Sequence, residues 1–355
     1  MRYKNIINNH KTRKQKKEIG KNIRQYNGNN KTIKHKTRKP KNGKNKNGKN
    51  KNGKKMMTKR VNIGGSFVDT SGNTKVFNSL NCAPSGNKEH FTCYKTTALD
   101  RIKLQWNARH PDKKIEETEP KKIWENLRDM MQHVCTNEAC WLSKLFRESE
   151  INDELLHYTF SPPMPKSWLV NPREWLSSID IIAVMKQFEK EFKCFVFMGP
   201  SPINYDTHHA GGRCVWEELC EFNLEQHISK SKMKIGIIFN LDPDYKSGSH
   251  WVSLFINIRK GEIYYFDSVG YAPDKQIKKF IDTVIKQGSK INIDFKYYEN
   301  KVQHQKGDTE CGMYSLFFII NMLNDIDFNI FEKKKFTDKE MEIFRGKYFN
   351  PLMAY

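Results

Sequence analysis

Apolar positions along the chain keep one period for about a hundred residues and then change it. Between Thr96 and Trp106, Leu99, Ile102 and Trp106 fall on one helical face. Ile123, Trp124, Leu127, Met130, Met131 and Val134 recur at helical spacing, and Trp141, Leu142, Leu145 and Phe146 continue the trend. Three- and four-residue spacing of this kind predicts amphipathic helices. Ser161-Pro-Pro-Met-Pro165 interrupts the pattern and predicts a junction. After Asn171-Pro172 the helical period resumes, with Trp175, Ile179, Ile182, Met185 and Phe188 predicting one long helix. The period then changes. Lys234–Phe239 and Trp251–Ile258 read as strands, and Arg259–Glu262 as a turn into a further strand, Ile263–Phe266. Ile277, Phe280, Ile281, Val284 and Ile285 mark an amphipathic helix, with Gly288 as its expected stop. Ile291, Ile293, Phe295 and Tyr297 alternate as another strand, and Cys311–Leu323 is an apolar central helix. Thr337 and Glu340 form a capping box for a last helix. The pattern predicts a helical accessory domain over residues 61–165 and an α+β core over residues 166–355.

Residues 1–60 differ in kind. They hold 23 Lys/Arg and one acid, Glu18, and Lys41-Asn42-Gly43-Lys44-Asn45 recurs as Lys46-Asn47-Gly48-Lys49-Asn50. The formal net charge of +22 therefore lies wholly in this segment, and the remaining residues balance to zero. Such a segment has too little apolar surface to offset its chain entropy and is expected to be disordered. It suits either a solvated tail or a non-specific nucleic-acid tether acting through counterion release. A basic-surfaced globule is excluded by the distribution of charge. A wholly disordered chain is excluded because all 7 Trp follow residue 60. No stretch reaches the roughly 18 apolar residues of a membrane span, and no apolar signal segment opens the chain.

The eight cysteines are scattered, which fits a reducing compartment and buried structural thiols better than a disulfide scaffold. His133 with Cys135 and Cys140, Cys214 with Cys220, and the pair His208 and His209 all lack the tight Cys-x2-Cys spacing of zinc sites. No metal and no cofactor is expected.

Three residues stand out by their place on the predicted elements. His250 precedes a strand in Ser247-Gly-Ser-His250-Trp251, Asp267 ends the next in Tyr264-Tyr-Phe-Asp267-Ser268, and Cys311 opens the apolar helix before Gly312. Antiparallel strands joined by a short turn bring their far ends together, so His250 and Asp267 are expected to be neighbours. A carboxylate there orients the imidazole and stabilises its protonated form. A helix N-terminus and a nearby imidazolium favour the thiolate of Cys311 as nucleophile. Gly312 is expected to clear space for a substrate backbone. Gln305 offers an amide N–H as an oxyanion donor beside the Cys311 N–H, and Gln303 is a second candidate for that role.

The order His, Asp, Gln, Cys resembles the adenovirus-protease and SUMO-protease (Ulp/SENP) superfamily of cysteine proteases. The motifs that carry it are His250-Trp251, Tyr265-Phe266-Asp267-Ser268, Gln305 and Cys311-Gly312-Met313-Tyr314, and Trp175-Leu176-Ser177 is similar to the Trp-Leu motif at the start of that family's core. Cys82-Ala-Pro, Thr92-Cys93-Tyr94, Val134-Cys135, Cys140-Trp141-Leu142, Cys214-Val-Trp-Glu-Glu-Leu and Phe239-Asn-Leu-Asp-Pro243 resemble more narrowly the Ulp-type proteases of large cytoplasmic DNA viruses, mimivirus-like giant viruses among them. Glu310 departs from the wider superfamily, where Asp is common before the nucleophile, but keeps the carboxylate.

The resemblance implies a papain-like Ulp-type core and a Cys311–His250–Asp267 triad. It also implies cleavage of viral structural or core polyproteins after small, Gly-like residues during virion maturation, in the virion and the infected-cell cytoplasm. Trp251 and Trp175 are then candidates for a narrow substrate clamp, against the plainer reading of core packing. A SUMO or ubiquitin-like isopeptidase and a non-catalytic nucleic-acid-binding virion protein are the alternatives.

Overall fold

The computed structural model describes residues 77–86, 91–147 and 153–351. The basic segment 1–60, expected to be disordered, lies outside the described residues. The described residues all fall within one compact unit.

The first helices form where the apolar spacing places them. They are α1 (Thr96–Arg109), α2 (Pro120–Met131), α3 (Ala139–Leu145) and the short α4 (Asp153–His157). α1 buries Leu99, Ile102 and Trp106, the expected face. α2 opens on Pro120, where a missing N–H costs nothing. It ends at Met131, so Val134 falls on the turn beyond and is exposed rather than continuing the helical stripe. Tyr94, Leu99, Ile123, Leu127, Trp141 and Phe160 belong to a core confined to residues 77–160. Within it the buried Glu138 carboxylate accepts from Thr92 Oγ1 at 2.5 Å, Trp124 Nε1 at 3.0 Å and the Cys93 N–H at 3.2 Å. Burial pushes this carboxyl above its ordinary range despite the three donors.

The remaining elements build a mixed sheet between helical layers. After a single 3-10 turn at Lys166–Leu169 come α5 (Ser178–Glu191), β1 (Phe195–Phe197), β2 (Ser201–Pro202), α6 (Glu217–Cys220), α7 (Leu224–Ser229), β3 (Lys234–Asn240), β4 (Trp251–Asn257) and β5 (Glu262–Phe266). Then follow α8 (Lys275–Lys290), β6 (Lys296–Glu299), α9 (Cys311–Leu323), α10 (Asn329–Lys333) and α11 (Asp338–Tyr348). The strand order is β1-β3-β4-β5-β6, with β2 also on β3. β3, β4 and β5 run antiparallel, while β1 and β2 join β3, and β6 joins β5, in parallel.

All of β4 is buried because both faces of the sheet are covered. Trp251 and Phe255 face the core with α5 and α9, whereas Val252, Leu254 and Ile256 face the core with Ile277, Phe280 and Val284 of α8. Period-2 alternation thus assigns successive residues of one strand to two different cores.

Several expectations are corrected. The helix expected after Pro172 starts only at Ser178, because Ser177 and Asp180 form a capping box there. Trp175 precedes it, and Ile179 is exposed while Ile181, Val184 and Met185 are buried. Gly288 does not stop α8, which runs on to Lys290. A Cβ at Gly288 would lie 2.5 Å from the Phe295 ring, so this glycine serves close packing of the helix against the segment before β6. Ile291 and Ile293 precede β6 rather than forming it.

The cysteines are not all thiols. Cys82–Cys93, Cys135–Cys140 and Cys214–Cys220 are disulfides, leaving Cys194 and Cys311 free. Each bond closes a local loop, with Cα separations of 5.1, 5.6 and 6.3 Å. Scattered sequence positions conceal that proximity. Among the described residues no helix is long and apolar enough to cross a membrane.

Two buried amides tie the helical region to the sheet region. Asn350 accepts from the Asn81 N–H at 2.7 Å and donates to the carbonyls of Asn81 and Ser161, each at 2.9 Å. Gln187 of α5 donates to the carbonyls of His157 and Phe160.

Candidate active site

The register Ser253↔Phe266 places the start of β4 beside the end of β5. His250, just before β4, therefore meets Asp267, just after β5, and His250 Nε2 lies 2.7 Å from Asp267 Oδ1. The Asp267 side chain is 1% exposed and that of His250 19%. Cys311 is close enough to the imidazole to shift its titration. Burial by itself would lower the His250 pKa. Hydrogen-bonding and charge interactions with Asp267 and Cys311 outweigh it and push the value up to about 9. The three expected residues are brought together around the His250 imidazole, whose protonated form this environment favours.

Cys311 is the first residue of α9, so its sulfur lies at the end of the helix where N–H groups lack helical partners. The loop before it is restrained from α11. The Glu310 carboxylate accepts from Arg345 Nε at 2.8 Å, and both residues are buried. The Arg345 guanidinium covers the Trp168 ring at 4.5 Å. Asp338 Oδ2 accepts from the N–H groups of Lys306 and Gly307, and its Oδ1 accepts from the Tyr314 hydroxyl.

Gln305 is buried and Gln303 is exposed. Gln305 Oε1 accepts from Ser268 Oγ at 2.6 Å, and its Nε2 donates to the Gly307 carbonyl at 2.8 Å. These bonds fix the amide orientation and use one of its two N–H hydrogens. The Ser268 carbonyl accepts from the N–H groups of His304 and Gln305, so the residue after Asp267 carries the Gln305 loop.

Asn300, which the sequence reading missed, locks the other side. Its Oδ1 accepts from the Asp267 N–H, and its Nδ2 donates to the Asp267 and Val302 carbonyls. A polar residue just beyond a short strand, 33 positions from its partner, carries no sequence signal of that kind.

The tryptophans part company. Trp251 is buried and its indole N–H donates to the Leu176 carbonyl at 3.1 Å, whereas Trp175 is 40% exposed. Gly312 has a different role from the one expected: a Cβ there would lie 2.9 Å from Leu176 Cβ, so the glycine admits Leu176 against α9.

This chemistry is that of a cysteine peptidase, and comparison with known proteins agrees. The sequence profile described as the Ulp1 protease family, C-terminal catalytic domain, matches residues 185–354. A protein of Acanthamoeba polyphaga mimivirus that bears the name of a thiol protease is 28% identical over 76% of this chain and 92% of its own length. A protein of African swine fever virus named a SUMO-1 cysteine protease is 27% identical over 64% of this chain and 89% of its own length. The cysteine protease of another strain of that virus is 33% identical over the same shares. A crystal structure of the African swine fever virus protease is similar in fold, with a TM-score of 0.55 and 20% identity over 79% of this chain and 98% of that one. The chain belongs to the Ulp1 protease family of cysteine peptidases.

Proposed function

We propose that the chain is an endopeptidase that cleaves viral structural or core polyproteins after small, Gly-like residues during virion maturation. The observation that carries the catalytic part is the His250–Asp267 pair at 2.7 Å, with Cys311 at the start of α9 interacting with the same imidazole. In this reading the Cys311 thiolate attacks the scissile carbonyl. The His250 imidazolium then gives its proton to the leaving amine, and Asp267 holds the ring through Nε2. The Cys311 N–H and the remaining Gln305 amide hydrogen stabilise the tetrahedral oxyanion. Water, deprotonated by neutral His250, resolves the acyl-enzyme. Trp175 stands exposed beside Leu176, where it contacts the substrate's small residues, and Trp251 backs that strand-to-loop junction. The enzyme acts in the virion and the infected-cell cytoplasm, where the basic segment 1–60 tethers it to nucleic acid.

The relative named a SUMO-1 cysteine protease favours a second reading, removal of ubiquitin-like modifiers. One experiment separates the two. Purified chain is incubated with candidate viral core polyproteins and with a ubiquitin-like fusion, beside Cys311→Ala, and the new termini are mapped. Cleavage of the polyprotein alone, abolished in Cys311→Ala, supports the proposal. Cleavage of the fusion alone selects the isopeptidase. Repeating the assay without residues 1–60 tests the tether. Peptide cleavage is expected to persist, while DNA affinity and its salt dependence are lost.

A further inference from the structure

The segment between β2 and α6 folds into a small hairpin that the catalytic chemistry leaves unused. His208 pairs with Cys214 across it, and its tip is the turn His209–Arg213, in which Gly211 and Gly212 take positive φ values of 123° and 79°. Cys220, at the end of α6, completes a cluster. One ligand atom from each of His208, Cys214 and Cys220 lies within 4.8 Å of the others. No Cys-x2-Cys pair marks this site in the sequence; the hairpin and the helix assemble it.

We propose that His208, Cys214 and Cys220 form a zinc site when Cys214 and Cys220 are reduced, with solvent in the fourth position. The geometry already matches at one edge. Tetrahedral zinc with Zn–N about 2.05 Å and Zn–S about 2.3 Å has an N···S edge near 3.5 Å. His208 Nε2 lies 3.5 Å from Cys214 Sγ. The Cα atoms of Cys214 and Cys220 are 6.3 Å apart, so rotation about the side-chain bonds alone separates the two sulfurs to span a metal. One imidazole and two thiolates are a donor set suited to Zn²⁺ over Mg²⁺ or Ca²⁺. Glu217, Glu218 and Glu221 flank Cys220 and favour a cation. Cys214 is buried and His208 exposed, which leaves one open side for solvent.

Metal and disulfide are alternatives for the same two sulfurs. A trialkylphosphine takes oxygen from water to become the phosphine oxide, and the disulfide gains two electrons and two protons to become two thiols. Zn²⁺ then displaces both thiol protons. The site also has a mechanical address. Asn204 exchanges two hydrogen bonds with Asp244, and His209 Nε2 lies 3.5 Å from Asp244 Oδ2. The hairpin thus braces the loop that leads from β3 to His250.

The test uses the full chain carrying Cys311→Ala, so that the nucleophile cannot bind metal, reduced with a phosphine and titrated with Co²⁺ alone as a spectroscopic stand-in. The expected result is one Co²⁺ per chain, with thiolate-to-cobalt charge-transfer absorption and the intense visible bands of a tetrahedral centre. Cys214→Ser and Cys220→Ser should each weaken the thiolate band. A Cys135→Ser/Cys140→Ser variant should keep it in full. His208→Asn, at an exposed side chain, should weaken Co²⁺ binding by at least about tenfold, since even outer-shell partners are worth about 10–100-fold. No thiolate band in the reduced parent, or a band undiminished by Cys214→Ser or His208→Asn, would overturn the proposal.

Discussion

At Asp267 one carboxylate oxygen receives two donors, His250 Nε2 and the Val269 N–H. Replacing Asp267 by Asn keeps an oxygen acceptor but removes the negative charge that helps hold the His250 pKa near 9. A raised imidazole pKa means that the protonated ring is complete below its ordinary value of about 6.5 and lost as pH rises through about 9. In the wild type, kcat/KM is therefore expected to fall on the alkaline side near pH 9. In Asp267→Asn this limb should move toward 6.5, together with a loss of kcat, as read from a pH–rate profile. At Gln305 the expected loss on substitution by Ala is about 10²–10³-fold in kcat, the range for one oxyanion donor. Gln303→Ala, at an exposed position, should cleave peptide at near the wild-type rate. A normal rate for Gln305→Ala would remove it from the oxyanion role.

Among the elements, α9 depends on how its first turn is held. Glu310 immediately precedes Cys311, and its buried carboxylate is matched by Arg345 of α11. The pair is not a gain in stability by default, since desolvation offsets much of the attraction. Breaking it is another matter, because one charge is left buried alone. Arg345→Met should cost about 3–5 kcal/mol, seen as a lower urea midpoint. Because Arg345 Nη2 also reaches the Thr309 carbonyl, kcat should fall more than the stability loss explains. Arg345→Lys keeps the charge without the planar fork and should recover stability better than kcat.

On the scale of the whole molecule, segments far apart in the sequence meet at one side chain. Asn350 is fully buried and satisfies backbone groups of Asn81 and Ser161, 269 and 189 positions away. Asn350→Ala leaves those groups without partners, at a cost of about 3 kcal/mol for buried unsatisfied groups. Denaturant unfolding should show the loss, while peptide cleavage by the folded fraction should stay near the wild-type rate because Asn350 bonds to none of His250, Asp267 and Cys311. A first, separate unfolding step would show that the helical region comes away from the sheet before the core melts.

Local periodicity made the central elements legible. The face of α1, the strands β3, β4 and β5, the helix α9 and the Thr337–Glu340 capping box follow from residues a few positions apart. The meeting of His250 and Asp267 was legible for a related reason: two strands joined by a short turn carry them, so it needs little tertiary information. The tertiary structure decided what depends on partners distant in sequence. Gly288 reads as a helix stop until Phe295 packs against it, and Gly312 reads as substrate clearance until Leu176 fills the space. Asn300, Arg345 and Asn350 are ordinary polar residues in the sequence, because nothing local shows which buried groups they satisfy. The cysteines make the same point: their spacing hides three disulfides, and only the hairpin carrying His208 brings it beside Cys214 and Cys220. Short-range pattern fixes an element because its cause lies within a turn or two of chain, whereas a contact between distant segments exists only after the core has placed them side by side.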